Sequence, residues 1–227
     1  MALEFFLDTV PSVAIAGRAG HFPVHRIYCV GRNYEEHKKE FGIVDRDPPF
    51  FFAKPADAIV AGGDPITYPP RTSALHHEIE LVVAIGLQGR DIPVQRAPQY
   101  VYGYAVGNDL TRRDLQLAAR EKGRPWEMGK SFDRSAAISS IVPAASAGEV
   151  NKARIWLKVN DQIRQEANIA DMIWSIPEII AELSTFVELR AGDLIYTGTP
   201  AGVGAVVRGD RLEGGIDGLG VLVNSVV

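Results

Sequence analysis

From Leu75 to Ile85 the chain reads Leu-His-His-Glu-Ile-Glu-Leu-Val-Val-Ala-Ile, polar at its start and apolar after Glu80. The branched aliphatics predict a strand over about 77–86. Side chains on a strand alternate between faces, so Glu78 and Glu80 point one way and Ile79 and Leu81 the other. Shorter apolar runs predict strands at residues 26–30, 50–54, about 102–108 and 194–197. Ile155 to Asn160 alternates as an edge or half-exposed strand, with Asn160-Asp161 turning it into Gln162 to Gln165.

Helical patterns are fewer. Asn33 suits an N-cap, Glu36 the matching capping-box position and Gly42 the C-terminal stop, which predicts a helix over roughly 34–41 carrying His37 and Glu40. A second helix is expected from Asp114 to Lys122, ended by Gly123. A third runs from about Ile176 to Phe186, with Pro177 in its first turn, where proline is tolerated. A Gly/Pro-rich loop spans 62–72, and the glycines from Gly198 to Gly220 fit tight turns in a mostly antiparallel body. Residues 1–24 are broken by Pro11, Gly17, Gly20 and Pro23, which predicts an arm or small hairpin around a main domain at 25–227. The expected class is α+β, mostly β.

Composition narrows the function classes. A chain of 227 residues, 46% hydrophobic, can bury a substantial core. The net charge is −4, and no basic block exceeds Arg112-Arg113 or Lys38-Lys39, so a nucleic-acid partner is not expected. Cys29 is the only cysteine, which rules out an intramolecular disulfide framework. Glu4 and Asp8 stand where a signal peptide would be basic, and no apolar run nears the roughly 18 residues of a membrane span. A soluble, cytoplasmic protein with no membrane partner is the expectation.

Two carboxylates at the start of an apolar strand repel each other and resist desolvation. A hard divalent cation would neutralise them, and oxygen ligands favour Mg²⁺, Mn²⁺ or Ca²⁺ over zinc. Two solvated acids on an exposed strand edge are the alternative. Asp109 ends another apolar run and could complete a three-carboxylate face. His76 and His77 do not form a zinc motif, because Leu81 stands where His-Glu-x-x-His needs its second histidine. Structural roles suit them better. Glu40 lies three residues after His37 and could orient it as a general base, unless both sit on an ordinary charged surface helix. Lys130, in a loop after Pro125-Trp126, could stabilise an oxyanion or be a solvent lysine. Thr197-Gly198-Thr199-Pro200 is a glycine turn without a nucleotide-binding pattern, although its amides could hold a carboxylate.

Together these segments resemble the fumarylacetoacetate hydrolase family. The carrying stretches are Val30-Gly31-Arg32-Asn33-Tyr34, Phe52-Ala53-Lys54-Pro55, His76 to Leu81, Asn108-Asp109-Leu110-Thr111, Gly129-Lys130-Ser131-Phe132 and Thr197 to Gly204. The resemblance implies a mixed β-roll with flanking helices, usually dimeric. It implies one Mg²⁺ or Mn²⁺ per subunit on Glu78, Glu80 and Asp109, with Lys130 supporting a bound keto acid. It implies His37 and Glu40 as a catalytic dyad on a lid segment, and Arg32, Arg113, Gln116 and Thr199 in the substrate pocket. Within the family, Ala16-Gly17, Phe22-Pro23-Val24 and the run Asp47 to Ala58 are similar to the fumarylpyruvate hydrolases. Those cleave a 1,3-diketo acid to fumarate and pyruvate in gentisate-type aromatic catabolism. Oxaloacetate decarboxylation and keto-acid isomerisation are alternatives at the same site, and a structural ion site without activity is the non-enzyme alternative.

Overall fold

The computed structural model describes residues 10–34 and 46–227. An eight-stranded mixed sheet forms its centre. Across the sheet the strands are Phe50–Lys54, Arg26–Gly31, Asp193–Tyr196, Ile79–Ile85, Val101–Asp109, Ala136–Ile138 and Ile59–Ala61, with Val142–Pro143 also paired to Val101–Asp109. Asp193–Tyr196 runs parallel to Arg26–Gly31, and Ala136–Ile138 parallel to Ile59–Ala61. A four-stranded antiparallel sheet contains Gln162–Asn168, Arg154–Val159, Arg211–Ile216 and Gly220–Ser225. A three-stranded sheet joins Gly204–Ala205, Leu75–His77 and Thr111–Arg112. Helices at Arg113–Glu121, Glu127–Lys130 and Ile176–Phe186 flank this mostly β body.

The Ile79–Ile85 strand is buried on both faces. Ile79, Leu81, Val83 and Ile85 share one core with Ile155, Leu157 and Leu212 of the four-stranded sheet. Val82 and Ala84 face a second core with Ile27, Leu194 and Tyr196, which the ribbon Ser12–Ala14 and His21–Pro23 closes with Val13 and Phe22. Each large aliphatic buried in this way contributes about 1.5–3 kcal/mol. A one-residue slip would turn every side chain to the wrong face, so the register is fixed from both sides and Glu80 with it.

Three local expectations change. The strand expected over 77–86 is two strands, because Glu78 lies between Leu75–His77 and Ile79–Ile85. Its amide donates to the Asn108 side-chain oxygen at 2.8 Å, and its carbonyl accepts from the Asp109 amide at 2.8 Å. Arg154–Val159 keeps the half-exposed alternation expected of it but is an interior strand rather than an edge, since Gln162–Asn168 and Arg211–Ile216 pair with it on either side. Lys130 ends a single helical turn rather than lying in a loop. That turn packs tightly on the Arg113–Glu121 helix: a Cβ on Gly129 would sit 2.8 Å from the Gln116 amide nitrogen.

Asn33, expected as a helix cap, is fully buried and serves as a tie. Its side-chain amide donates to the carbonyls of Thr197 at 2.8 Å and Trp174 at 3.0 Å, and its side-chain oxygen accepts the Trp174 amide at 2.7 Å. The predicted helix beyond Tyr34, with Glu36, His37, Glu40 and Gly42, lies outside the described residues. Asn33→Ala leaves one buried and two part-buried backbone groups without their partner, and a buried group left unpaired costs about 1–3 kcal/mol. We expect at least about 2 kcal/mol lost in urea unfolding; a loss below about half a kcal/mol would show that Asn33 is not the tie described.

Candidate active site

The antiparallel register brings the acids together. Glu80 pairs with Gly107 and Ile79 with Asn108, which sets Glu78 beside Asp109 on the same face as Glu80. One carboxylate oxygen from each of Glu78, Glu80 and Asp109 lies within 4.8 Å of the others, and all three residues are buried. At that spacing two bare carboxylates repel by about 3–4 kcal/mol at an effective dielectric near 20.

Three cations answer part of this charge. Lys130 Nζ lies 2.7 Å from Glu78 Oε2 and 2.5 Å from Asp109 Oδ2. Lys54 Nζ lies 2.8 Å from Asp109 Oδ1, and Arg113 pairs with Glu78 Oε1. Burial alone would raise the Asp109 pKa, but Lys130 and Lys54 overcome it and hold the group below its ordinary value. Burial would likewise lower Lys130, but Asp109 and Glu78 raise it. Glu80 is different. Among the described residues it has no cation partner, and the Gly198 amide donates to its Oε2 at 2.7 Å. Burial pushes its carboxyl well above the usual range, and Asp109 and Glu78 add to the rise. A buried carboxyl without an ion pair beside two others fits a hard divalent cation, and the all-oxygen donor set matches Mg²⁺ or Mn²⁺. Neither His76 nor His77 belongs to the group.

A cavity of about 350 Å³ opens over these acids. Arg32, Arg113, Gln116 and Thr199 all line it, so the structure brings these four predicted pocket residues together with Glu78, Glu80, Asp109 and Lys130. His37 and Glu40 lie outside the described residues. Arg113 donates to the Gln116 side-chain oxygen, leaving the Gln116 amide protons for the cavity. Tyr34 also lines the cavity; its buried hydroxyl has no hydrogen-bond partner among the described residues.

Two contributors were not read from the sequence. Lys54 is fully buried behind Asp109, and the available signal was a lysine closing the otherwise apolar Phe50–Lys54 strand. Gln165 left no local signal. Its side-chain oxygen accepts from His77 Nδ1 at 2.8 Å and from the Ile79 amide at 3.1 Å. Its amide donates to Thr199 Oγ1 and to the Pro200 carbonyl, both at 2.8 Å. With Thr199 Oγ1 thus accepting, the Thr199 proton is free to point at a ligand. Burial lowers the His77 pKa, which suits the neutral ring of this chain.

Residues 26–227 match the family described as Fumarylacetoacetate (FAA) hydrolase C-terminal. The chain belongs to this family. A fumarylpyruvate hydrolase of Ralstonia sp is 49% identical over 170 residues, 75% of this chain and 88% of that protein. A mitochondrial oxaloacetate tautomerase of Rattus norvegicus is 45% identical over 193 residues, 85% and 87% of the two chains. The crystal structure of a Pseudomonas aeruginosa fumarylpyruvate hydrolase in complex with Mn²⁺ and pyruvate superposes with a TM-score of 0.94 at 52% identity, covering 100% of this chain and 99% of that one. Its β architecture is therefore that of the fumarylacetoacetate hydrolase family.

The unequal pairing of the acids separates two variants. Glu80→Gln removes a charge that has no ion pair, so the metal-free protein should keep or gain thermal stability. Its Mn²⁺ affinity, read by calorimetry, should fall beyond the roughly 10–100-fold that outer-sphere changes cause. Asp109→Asn instead leaves Lys54 and Lys130 short of a partner and should destabilise the metal-free fold by about 3–5 kcal/mol. Equal stability losses in both variants would contradict this account. For Gln165→Leu, pyruvate binding should weaken about tenfold, the scale of one hydrogen bond to a charged group, while Mn²⁺ affinity holds; unchanged pyruvate affinity would remove Gln165 from the site.

Proposed function

We propose that this protein is a metal-dependent hydrolase that cleaves the carbon–carbon bond of an acylpyruvate, with fumarylpyruvate as substrate and fumarate and pyruvate as products. The observation that carries the reading is the buried Glu78, Glu80 and Asp109 set with Lys130 across it, beneath a cavity of keto-acid size. Support comes from the 52% identical fumarylpyruvate hydrolase crystallised with Mn²⁺ and pyruvate. Glu78, Glu80 and Asp109 would hold the Mg²⁺ or Mn²⁺ ion, which when bound supplies Lewis-acid polarisation of the keto acid.

The residues then divide the work. Two of the three Lys130 protons engage Glu78 and Asp109, and the third is left for a substrate oxygen. Thr199 donates its free proton, and Gln116 its amide protons, to the keto-acid end. Arg113 holds Glu78 and Gln116 in place. Arg32 contributes a further positive charge at the wall of the cavity. His37, oriented by Glu40, accepts a proton from water as hydroxide adds to the distal carbonyl of the 1,3-diketone. The bond between that carbon and the methylene breaks, and its electron pair passes into the enolate of pyruvate. The new negative charge falls on the keto oxygen beside Lys130, so stabilisation grows along the reaction. The proton on His37 then returns to the methylene carbon, and the elements of water are balanced.

Residues 25–227 form the catalytic unit in this reading, with 1–24 as an appendage. A homodimer, a cytoplasmic setting and a place in gentisate-type aromatic catabolism belong to the same proposal and rest on family resemblance. The test follows loss of enol absorbance for fumarylpyruvate, acetylpyruvate and oxaloacetate, with Mn²⁺ and with chelator. Fumarylpyruvate should turn over fastest and only with metal. Faster oxaloacetate turnover would favour the tautomerase or decarboxylase class of relatives instead. His37→Ala should cost about 10²–10⁴ in kcat, the range of general base catalysis, with Mn²⁺ affinity intact; full activity would remove the dyad from the mechanism.

A further inference from the structure

One face of the Arg113–Glu121 helix forms a wall of the cavity. Arg113, Gln116, Leu117 and Arg120 lie at i, i+3, i+4 and i+7, and all four line it. Exposure rises from Gln116 outward along this row. Arg113 reaches Glu78 at the acid end and Gln116 is 7% exposed, while Leu117 is 46% exposed and Arg120 lies in the open. The row therefore runs from the acids to the mouth. We infer that Arg120 is the specificity residue of the site, receiving a carboxylate at the far end of the acyl group and so favouring dicarboxylic acylpyruvates over neutral-tailed ones. This rests on the acylpyruvate reading above and extends it to the tail of the substrate.

Charge and length both support the assignment. Lys54, Lys130 and Arg113 each meet a carboxylate of Glu78 or Asp109, so their charges are already engaged. Arg120 lines the same cavity, is exposed, and forms no ion pair among the described residues. Seven helical residues place it about 10.5 Å along the axis from Arg113. In an extended fumarylpyruvate five bonds separate the α-keto carbon from the distal carboxylate carbon, about 6 Å by backbone-like projection. A charge-assisted hydrogen bond adds about 3 Å, and the guanidinium reach covers the rest. Arg32 is the competing cation on the wall, but it stands outside this helical row, at the end of the Arg26–Gly31 strand with φ of 55°.

The test compares kcat/KM for fumarylpyruvate and acetylpyruvate in the Mn²⁺-loaded enzyme, in Arg120→Gln and in Arg32→Gln. Arg120→Gln should lower the fumarylpyruvate-to-acetylpyruvate ratio about 10- to 100-fold, as expected for a hydrogen bond between charged groups, and Arg120→Lys should restore part of it. Calorimetry supplies a second readout: fumarate affinity should fall by a similar factor, and pyruvate affinity should hold. A ratio unchanged in Arg120→Gln, or one that collapses in Arg32→Gln instead, overturns the inference. If the wild type cleaves no acylpyruvate, the functional reading fails separately, and the fumarate measurement still decides whether Arg120 binds the carboxylate.

Discussion

Three buried carboxylates with oxygens within 4.8 Å of one another set the terms for the rest of this structure. Desolvation and mutual repulsion both oppose their ionised form. The fold meets this with side chains from distant parts of the chain: Lys54 from an edge strand, Lys130 from a one-turn helix and Arg113 from the start of another. The neutralisation is unequal. Glu78 and Asp109 each have two cations, and Glu80 has one peptide amide. The structure thereby keeps the acids desolvated and leaves Glu80 as the carboxylate for which an incoming cation makes the largest difference.

The turn at Thr197 to Pro200 joins metal chemistry to substrate chemistry. Gly198, at φ of 99°, presents its amide to Glu80, and a Cβ there would strike the Cβ of Asn33 at 2.7 Å. One residue later, Thr199 takes its hydrogen bond from Gln165. Asn33 grips the Thr197 carbonyl, and Gln165 grips the Pro200 carbonyl. Two buried carboxamides therefore clamp four residues, and both are fully engaged. In the proposed reaction, rigid placement of this kind would let a threonine proton and a backbone amide act without reorganising.

What the sequence disclosed follows from the range of the interactions involved. The Glu78 and Glu80 alternation is local, and so is the burial of the strand that follows, so both could be read directly. The break at Glu78 could not, because it depends on the Asn108 side chain of a neighbouring strand. Lys54 was visible only as a charge at the end of an aromatic strand, and its partner is 55 positions away. Gln165 sits in a strand that otherwise looks exposed and polar; its burial comes from folding over His77 and Thr199. The interior position of Arg154–Val159 depends on Arg211–Ile216, some 55 residues later. Family resemblance supplied the pocket residues that spacing alone left open.

The paired charges also bear on which part of a keto acid the acid set would read in the proposed function. With Lys54, Lys130 and Arg113 engaged by Glu78 and Asp109, the inner end of the cavity would answer, in the proposed function, to a carboxylate beside a keto oxygen. Nothing in that inner arrangement depends on what is attached further out. Discrimination must then come from the walls, where Trp126 and Phe52 present flat surfaces 6.2 Å apart between ring centres and the helix adds its outward row. A planar, conjugated acyl group is suited to such walls, because it contacts aromatic faces without the rotamer cost of a flexible chain. On this proposal the inner site would set the reaction class and the outer walls the substrate within it, so changes at the walls would alter preference while the acid set and the fold around it stay intact.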